Sequence, residues 1–416
     1  MERYDQLYRL YGEFDTATLR DYRRFVDILP PMDSRVALDH WDEANRELET
    51  REDAIGEAFP TAGETLADVA AHATREQAFT ALDLLTKYGR GVNVLVLDVD
   101  ETLRSAGNTD NEIPRETLHL LTEFHESGTP IVVCTGQTLE NVKGFAIQGM
   151  GNEMVHSGEL SIVYEAGTGV FTPGHGPDTK QLLYEDLDSE IRSVFDRVRS
   201  RVLTEAPDAV RRNCHLQGNE FNVTLKPNFE TGSDRARAVI DEALVHQLDL
   251  LGEAIAEELD VETAEPGTWT RSYYAERDPE IRDVLEAGGG IVDGEGADVP
   301  GEVREVLKRI DVAYYEADAA EIGSLELNKV VGVEAAFDVL GVEDPFAVMM
   351  GDSKSDLRVM EWLAETGTGI AAAPEHASRG VLEHVRSTDE LVFDRGNAAE
   401  MLRTVYALNR LAALDG

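Results

Sequence analysis

Residues 94–103 read VLVLDVDETL, an unbroken apolar run that ends in Asp98, Asp100 and Glu101. Branched and leucine side chains without polar alternation describe a strand buried on both faces, the habit of a parallel sheet. Acids crowded at the end of such a strand repel one another, so they need a nearby cation or they hold protons. Two later strands end the same way. PIVVCT at 130–135 closes on Thr135, and PFAVMMGDSKSD closes on Asp352 and Asp356.

Helical patterns separate these strands. IPRETLHLLTEFHESG carries Pro114 near its start, Leu118, Leu121 and Phe124 on one face, and Gly128 as a stop. A second helix begins at TLENVKGFAIQG with Thr138 as its N-cap. LNKVVGVEAAFDVLG at 327–341 presents Val330, Val333, Phe337 and Leu340 before Gly341 stops it. SDLRVMEWLAETG is a further helix, and TGIAAAP a short last strand. Strands alternating with helices predict an α/β fold, a Rossmann-like doubly wound parallel sheet.

The alternation stops near residue 160. LSIVYEAGTGVF, GNEFNVTLK and RIDVAYYEA read as strands of a different sheet, with helices SEIRSVFDRVRSRVL and DRARAVIDEALVHQLDLLGEAIAEEL between them. YYEAD at 314–318 belongs to one of those strands, and the glycine-rich 286–302 is expected to be a mobile loop. Residues 1–90 show helical spacing, in YDQLYRLYGEF and TREQAFTALDLLTKYG, with a break at LPPMD, 29–33. The predicted organisation is a helical segment at 1–90, the core at 91–160, an α+β insertion at 161–320, and the rest of the core at 321–416.

Composition narrows the partners. The 416 residues carry a net charge of −43, and only seven of the 38 basic residues are lysine. Such acid-rich, lysine-poor usage resembles proteins of salt-loving archaea, where ionic strength screens self-repulsion. It argues against nucleic acid or an anionic membrane as a partner. Cys134 and Cys214 make no disulfide framework and have no metal-site spacing. No run approaches eighteen apolar residues, and MERYDQLYRL is no signal peptide, so a cytoplasmic protein is expected. The N-terminal helices are expected to serve packing, or a homo-oligomer.

In an open parallel sheet, chemistry gathers beyond the carboxyl ends of the strands. Asp98, Asp100, Thr135, Asp352 and Asp356 can therefore converge, with Lys329 at the start of a helix in the same sheet. Phosphoryl transfer would employ them all. Asp98 can attack phosphorus and form an aspartyl-phosphate. Asp100 can protonate the leaving oxygen and later activate water. Thr135 and the N–H of Gly136 can hold phosphoryl oxygens, and Lys329 supplies positive charge. Mg²⁺ on Asp98 and Asp352 would offset the repulsion between an anionic nucleophile and an anionic ester. Asp356 would orient Lys329 or a metal-bound water.

The motifs DVDET, VVCTG, LNK and GDSKSD, in that order, resemble those of the haloacid dehalogenase-like (HAD) hydrolase superfamily, mostly phosphatases. The similarity spans roughly 92–403. It implies that the main-chain carbonyl of Asp100 also binds the metal. Thr135 and Lys329 stand 194 residues apart, which resembles the α+β cap of the Cof-like, sucrose-phosphatase and phosphomannomutase branch. The expectation is a Mg²⁺-dependent phosphatase of small phosphorylated metabolites. A phosphomutase, and a non-catalytic binding protein of the same fold, are the alternatives. Three positions depart from the family pattern: Gln137 replaces a common arginine, Ser355 a common asparagine, and Glu101 a common glycine.

Overall fold

The computed structural model describes residues 2–28, 35–104, 113–288 and 299–415, apart from the side chains of 145–148, 233 and 415. Its first five strands are β1 (Val94–Leu97), β2 (Ile131–Cys134), β3 (Leu160–Tyr164), β4 (Gly169–Phe171) and β5 (Lys180–Leu182). Next come β6 (Cys214–Leu216), β7 (Val223–Pro227), β8 (Ile310–Tyr315) and β9 (Ala319–Ser324). The last are β10 (Ala347–Met350), β11 (Gly369–Pro374) and β12 (Leu391–Phe393).

Eight strands form one sheet in the order β12-β11-β10-β1-β2-β3-β4-β5. All neighbours from β12 to β3 are parallel, and β4 pairs antiparallel with both β3 and β5, so β4 alone runs against the rest. The four residues of β1 are all buried, as the apolar run demands. Leu97 pairs with both Met350 and Val133, so the loops after β10, β1 and β2 leave the sheet side by side.

Two features differ from the sequence reading. The pattern of LSIVYEAGTGVF points to a second sheet, whereas β3 and β4 extend the first. The physical reason is that β3 follows helix Leu139–His156 as one more strand–helix repeat, with five residues buried in a row. Nor does TGIAAAP end the sheet. The three-residue β12 lies beyond it at the edge, too short to announce itself by pattern.

The insertion carries its own antiparallel sheet, β6-β7-β9-β8, with the Tyr314–Asp318 stretch at the β8–β9 hairpin. One face of that sheet packs on helices Ser189–Arg201 and Ser233–Glu258 through Val223, Ile322, Phe195, Leu244 and Leu251. Of the loop expected at 286–302, residues 289–298 lie outside those described, as do 29–34 at the LPPMD break.

Residues 1–90 are helical where described: Glu2–Glu13, Thr16–Ile28, Arg35–Ala58, Gly63–His72 and Arg75–Tyr88. The last has a reciprocal cap between Thr74 and Gln77 and ends at left-handed Gly89. These helices share one apolar core with helix Ala398–Ala412 and one face of the main sheet, including Leu7, Leu10, Leu85, Leu95, Val133 and Leu408. Each fully buried leucine there is worth about 1.5–3 kcal/mol. Helices Lys329–Leu340 and Lys354–Thr366 cover the opposite face through Val333, Phe337, Val359 and Met360.

Candidate active site

Lys329 is the first residue of its helix, and Asn328 caps it by accepting from the N–H groups of Val330 (2.9 Å) and Val331 (3.3 Å). Two glycines let this helix start press onto the turn after β3. A Cβ on Gly167 would stand 2.0 Å from the Asn328 carbonyl oxygen, and one on Gly332 would stand 2.3 Å from Val163. The lysine is thereby driven inward and is only 2 % exposed. Its ammonium donates to Asp98 Oδ1 (2.8 Å), to Asp356 Oδ1 (2.5 Å) and to the Cys134 carbonyl (3.5 Å).

Asp356 is held by sequence-local bonds. It caps its own helix through Oδ2, which accepts from the N–H groups of Asp352 (3.2 Å) and Ser353 (3.0 Å) and from the Ser353 hydroxyl (2.6 Å). Gly351 makes room for it, since a Cβ there would meet the Asp356 Cβ and Cγ at 2.4 Å. The Ser355 hydroxyl lies 2.9 Å from that of Ser353 and so belongs to the same capping cluster.

The electrostatics are those of crowded, buried acids. Burial pushes the Asp98 carboxyl well above its ordinary range, and Asp356 and Asp352 add to this against Lys329. Asp352 is raised to about 6, by burial and then by Asp356 and Glu101. Burial opposes the charge on Lys329, but Asp356 and Asp98 outweigh it and hold the ammonium charged. Asp98, Asp352 and Asp356 each offer an oxygen within 4.8 Å of the others. Both Asp356 oxygens already accept hydrogen bonds, which leaves Asp98 and Asp352 to meet a cation. Three carboxylates against one ammonium suit a hard divalent ion with oxygen ligands.

Asp100 is placed differently. Among the described residues its carboxylate is absent from that cluster. Oδ1 accepts from Arg104 Nε (3.0 Å) and Nη2 (2.8 Å), and Oδ2 accepts from the Gln137 amide. Thr135 is buried, and its hydroxyl accepts from the Gln137 N–H at 3.1 Å. Gly136 is exposed, with open space where a side chain would be. Sequence reasoning gives Arg104, Gly351 and Gly167 no role and marks Gln137 only as a departure. The Arg104 pairing is readable as a short-range acid–base spacing, whereas the two glycines reveal themselves only through three-dimensional approach.

The insertion contacts the core near this site. Asp311 pairs with Arg358 at 3.5 Å, and Glu280 with Lys354 at 3.9 Å. Tyr315, at the end of β8, is 53 % exposed. Burial raises Glu321, which accepts from the Thr224 hydroxyl.

No protein-family model and no curated protein matches the chain. Solved structures do match it. A trehalose-6-phosphate phosphatase from Aspergillus fumigatus is 14% identical, with a TM-score of 0.42 over 79% of this chain and 97% of that one. The sucrose-phosphatase of Synechocystis, determined with sucrose and phosphate, is 12% identical, with a TM-score of 0.43 over 77% and 98%. A phosphatase of the HAD superfamily from Bacteroides thetaiotaomicron is 15% identical, with a TM-score of 0.43 over 77% and 96%. With TM-scores below 0.5, these likenesses say nothing of the chemistry, which rests on the side chains themselves.

Proposed function

We propose that the chain is a HAD-like phosphatase. It would hydrolyse small phosphorylated metabolites, sugar phosphates among them, with Mg²⁺, through an aspartyl-phosphate on Asp98. The observation that carries this reading is the buried Asp98 carboxylate 2.8 Å from Lys329, beside Asp352, at adjacent strand ends of a parallel sheet. A surface ion pair has no need of a fully sequestered lysine, and structural acids are seldom buried together.

Lys329 holds Asp98 Oδ1, and the other carboxylate oxygen attacks phosphorus. That oxygen–phosphorus bond forms as the ester bond breaks, and the leaving oxygen takes a proton from Asp100. Water then gives a proton to Asp100, attacks phosphorus and frees Asp98, releasing inorganic phosphate. Asp100 must leave Arg104 and Gln137 to serve in this way. Thr135 and the Gly136 N–H hold the transferred oxygens. Asp98, Asp352 and the Asp100 carbonyl would hold Mg²⁺, which, when bound, offsets the negative charge on carboxylates and phosphoryl group.

The partner is a small phosphorylated molecule, and a net charge of −43 disfavours nucleic acid. No described helix is long and apolar enough to cross a membrane. We place the protein in the cytoplasm. A homo-oligomer through the N-terminal helices would use outward groups such as Tyr8, Val36 and Leu38.

The test is hydrolysis of an aryl phosphate with Mg²⁺ at molar KCl. Wild type is expected to release phosphate and Asp98→Asn to be inactive; equal activity of the two ends the mechanism. Product analysis on hexose phosphates separates release from transfer, the phosphomutase outcome.

A further inference from the structure

Glu165 follows β3 in a part of the chain to which the mechanism gives no task. It is 1 % exposed, and its φ is +48°. Ala166 and Gly167 continue the left-handed turn at +55° and +106°. Such a conformation costs a residue with a side chain about 5- to 30-fold in population, so two in succession must be held by their surroundings.

What holds them is visible on two sides. Toward the site, the Glu165 N–H donates to the Gln137 carbonyl (2.9 Å) and the Ala166 N–H to the Thr135 carbonyl (2.9 Å). These are the outer residues of the loop proposed to grip phosphate. Toward the insertion, the Glu165 carboxylate accepts from the N–H groups of Glu220 (2.6 Å) and Phe221 (3.2 Å). Its carbonyl accepts from the Asn222 amide at 3.4 Å. Segment 219–222 is gripped from its own domain too, since Arg199 donates to the carbonyls of Asn219, Phe221 and Asn222. Glu220 also reaches back to Tyr164 and Lys180 of the core.

We infer that Glu165 is a positioning residue that couples the seating of the insertion to the shape of the Thr135–Gln137 loop. The Thr168 hydroxyl donates to one carboxylate oxygen at 3.3 Å from within the same turn, but both main-chain donors to the carboxylate arrive only when segment 219–222 is docked. That anchorage keeps residue 165 left-handed, and the left-handed turn presents its two N–H groups to the loop. Undocking would let the turn relax and release the Gln137 and Thr135 carbonyls. Gln137 in turn holds Asp100. The functional meaning rests on the phosphatase reading; the coupling itself does not.

Alanine and glycine separate the two halves of this claim. Both remove the carboxylate, but only alanine resists a positive φ. The experiment is amide hydrogen exchange on the full-length chain, with Glu165→Ala, Glu165→Gly and Glu165→Gln beside wild type and the amides of 94–97 as the control. In Glu165→Ala, exchange is expected to accelerate about tenfold at Glu220 and Phe221 and also at residues 165 and 166, whose N–H groups bond the loop carbonyls. In Glu165→Gly, only Glu220 and Phe221 should accelerate. Glu165→Gln keeps one acceptor oxygen and should leave residues 165 and 166 as in wild type. The inference is overturned if alanine leaves residues 165 and 166 protected, or if alanine and glycine give the same pattern. Aryl-phosphate turnover adds a second readout: kcat about tenfold lower in Glu165→Ala, with KM unchanged and Glu165→Gly close to wild type. A wild type unable to hydrolyse the ester would end the phosphatase reading, while the exchange pattern would still decide the coupling.

Discussion

Replacing Lys329 by methionine keeps most of the side-chain volume and removes the ammonium from among three carboxylates. Lys329 is 2 % exposed, Asp98 5 % and Asp356 0 %. Breaking a buried pair by deleting one partner costs about 3–5 kcal/mol, chiefly because a charge is left sequestered without its partner. Here two carboxylates lose the same partner, so the upper part of that range applies at pH 7.5. Asp98 is already raised with the lysine present. Without it the carboxyl is raised further, so the cost should shrink as the pH falls from 7.5 to 5. Urea unfolding of wild type and Lys329→Met at both pH values, without divalent ions, gives the difference. The measurement belongs at about 1 M KCl, where the screening length is near 3 Å and exposed pairs contribute little. A buried contribution survives that salt. A loss under about 1 kcal/mol, or one that salt abolishes, would mean that the lysine is solvated and the site wrongly built.

Three more outcomes are expected. Asp352 sits at about 6 against an ordinary 3.8, so the metal-free folded state holds more protons than the unfolded one between those values. Its contribution is present below pH 4 and lost as pH rises through 6, by about 2–3 kcal/mol after allowance for solvent. Denaturation of wild type against Asp352→Asn should show this slope, and saturating Mg²⁺ should flatten it. Gly351→Ala should cost about 1–3 kcal/mol in thermal unfolding and most of the turnover, because the new methyl displaces Asp356. Gln137→Leu removes one of the two holds on Asp100, worth about 1.5 kcal/mol. Its kcat on an aryl phosphate should change by up to about tenfold, and an unchanged kcat would argue that Asp100 is not the proton donor.

Much of the site can be read from the sequence, because each of its parts is a local pattern. A buried strand that ends in an acid, or a lysine that opens a helix, is visible within ten residues. The convergence of residues 98, 135, 329, 352 and 356 follows from parallel-sheet topology, which puts every such end on one side. What is not legible depends on approach between distant segments. Gly167 and Gly332 look like ordinary loop and helix glycines until Asn328 and Val163 are seen against them. The Asp100 carboxylate seems free in the sequence because DVDET says nothing of Gln137, 37 residues on. The sequence pattern puts β3 in the wrong sheet because YEAGTG after it reads as a turn between antiparallel strands. That is true of β3 and β4 and silent on the parallel partner β2.

The seat of the N-terminal helices lies far along the chain. The Gln77 amide bonds the carbonyl of Glu400, 323 residues later, in helix Ala398–Ala412. A ribosome adding about 5–20 residues per second makes that helix tens of seconds after the first five. Throughout that interval the face of helix Arg75–Tyr88 that packs on helix Ala398–Ala412 stays uncovered. The newborn chain thus carries an open greasy face, and its high negative charge is the feature best suited to keep neighbouring copies apart until helix Ala398–Ala412 arrives.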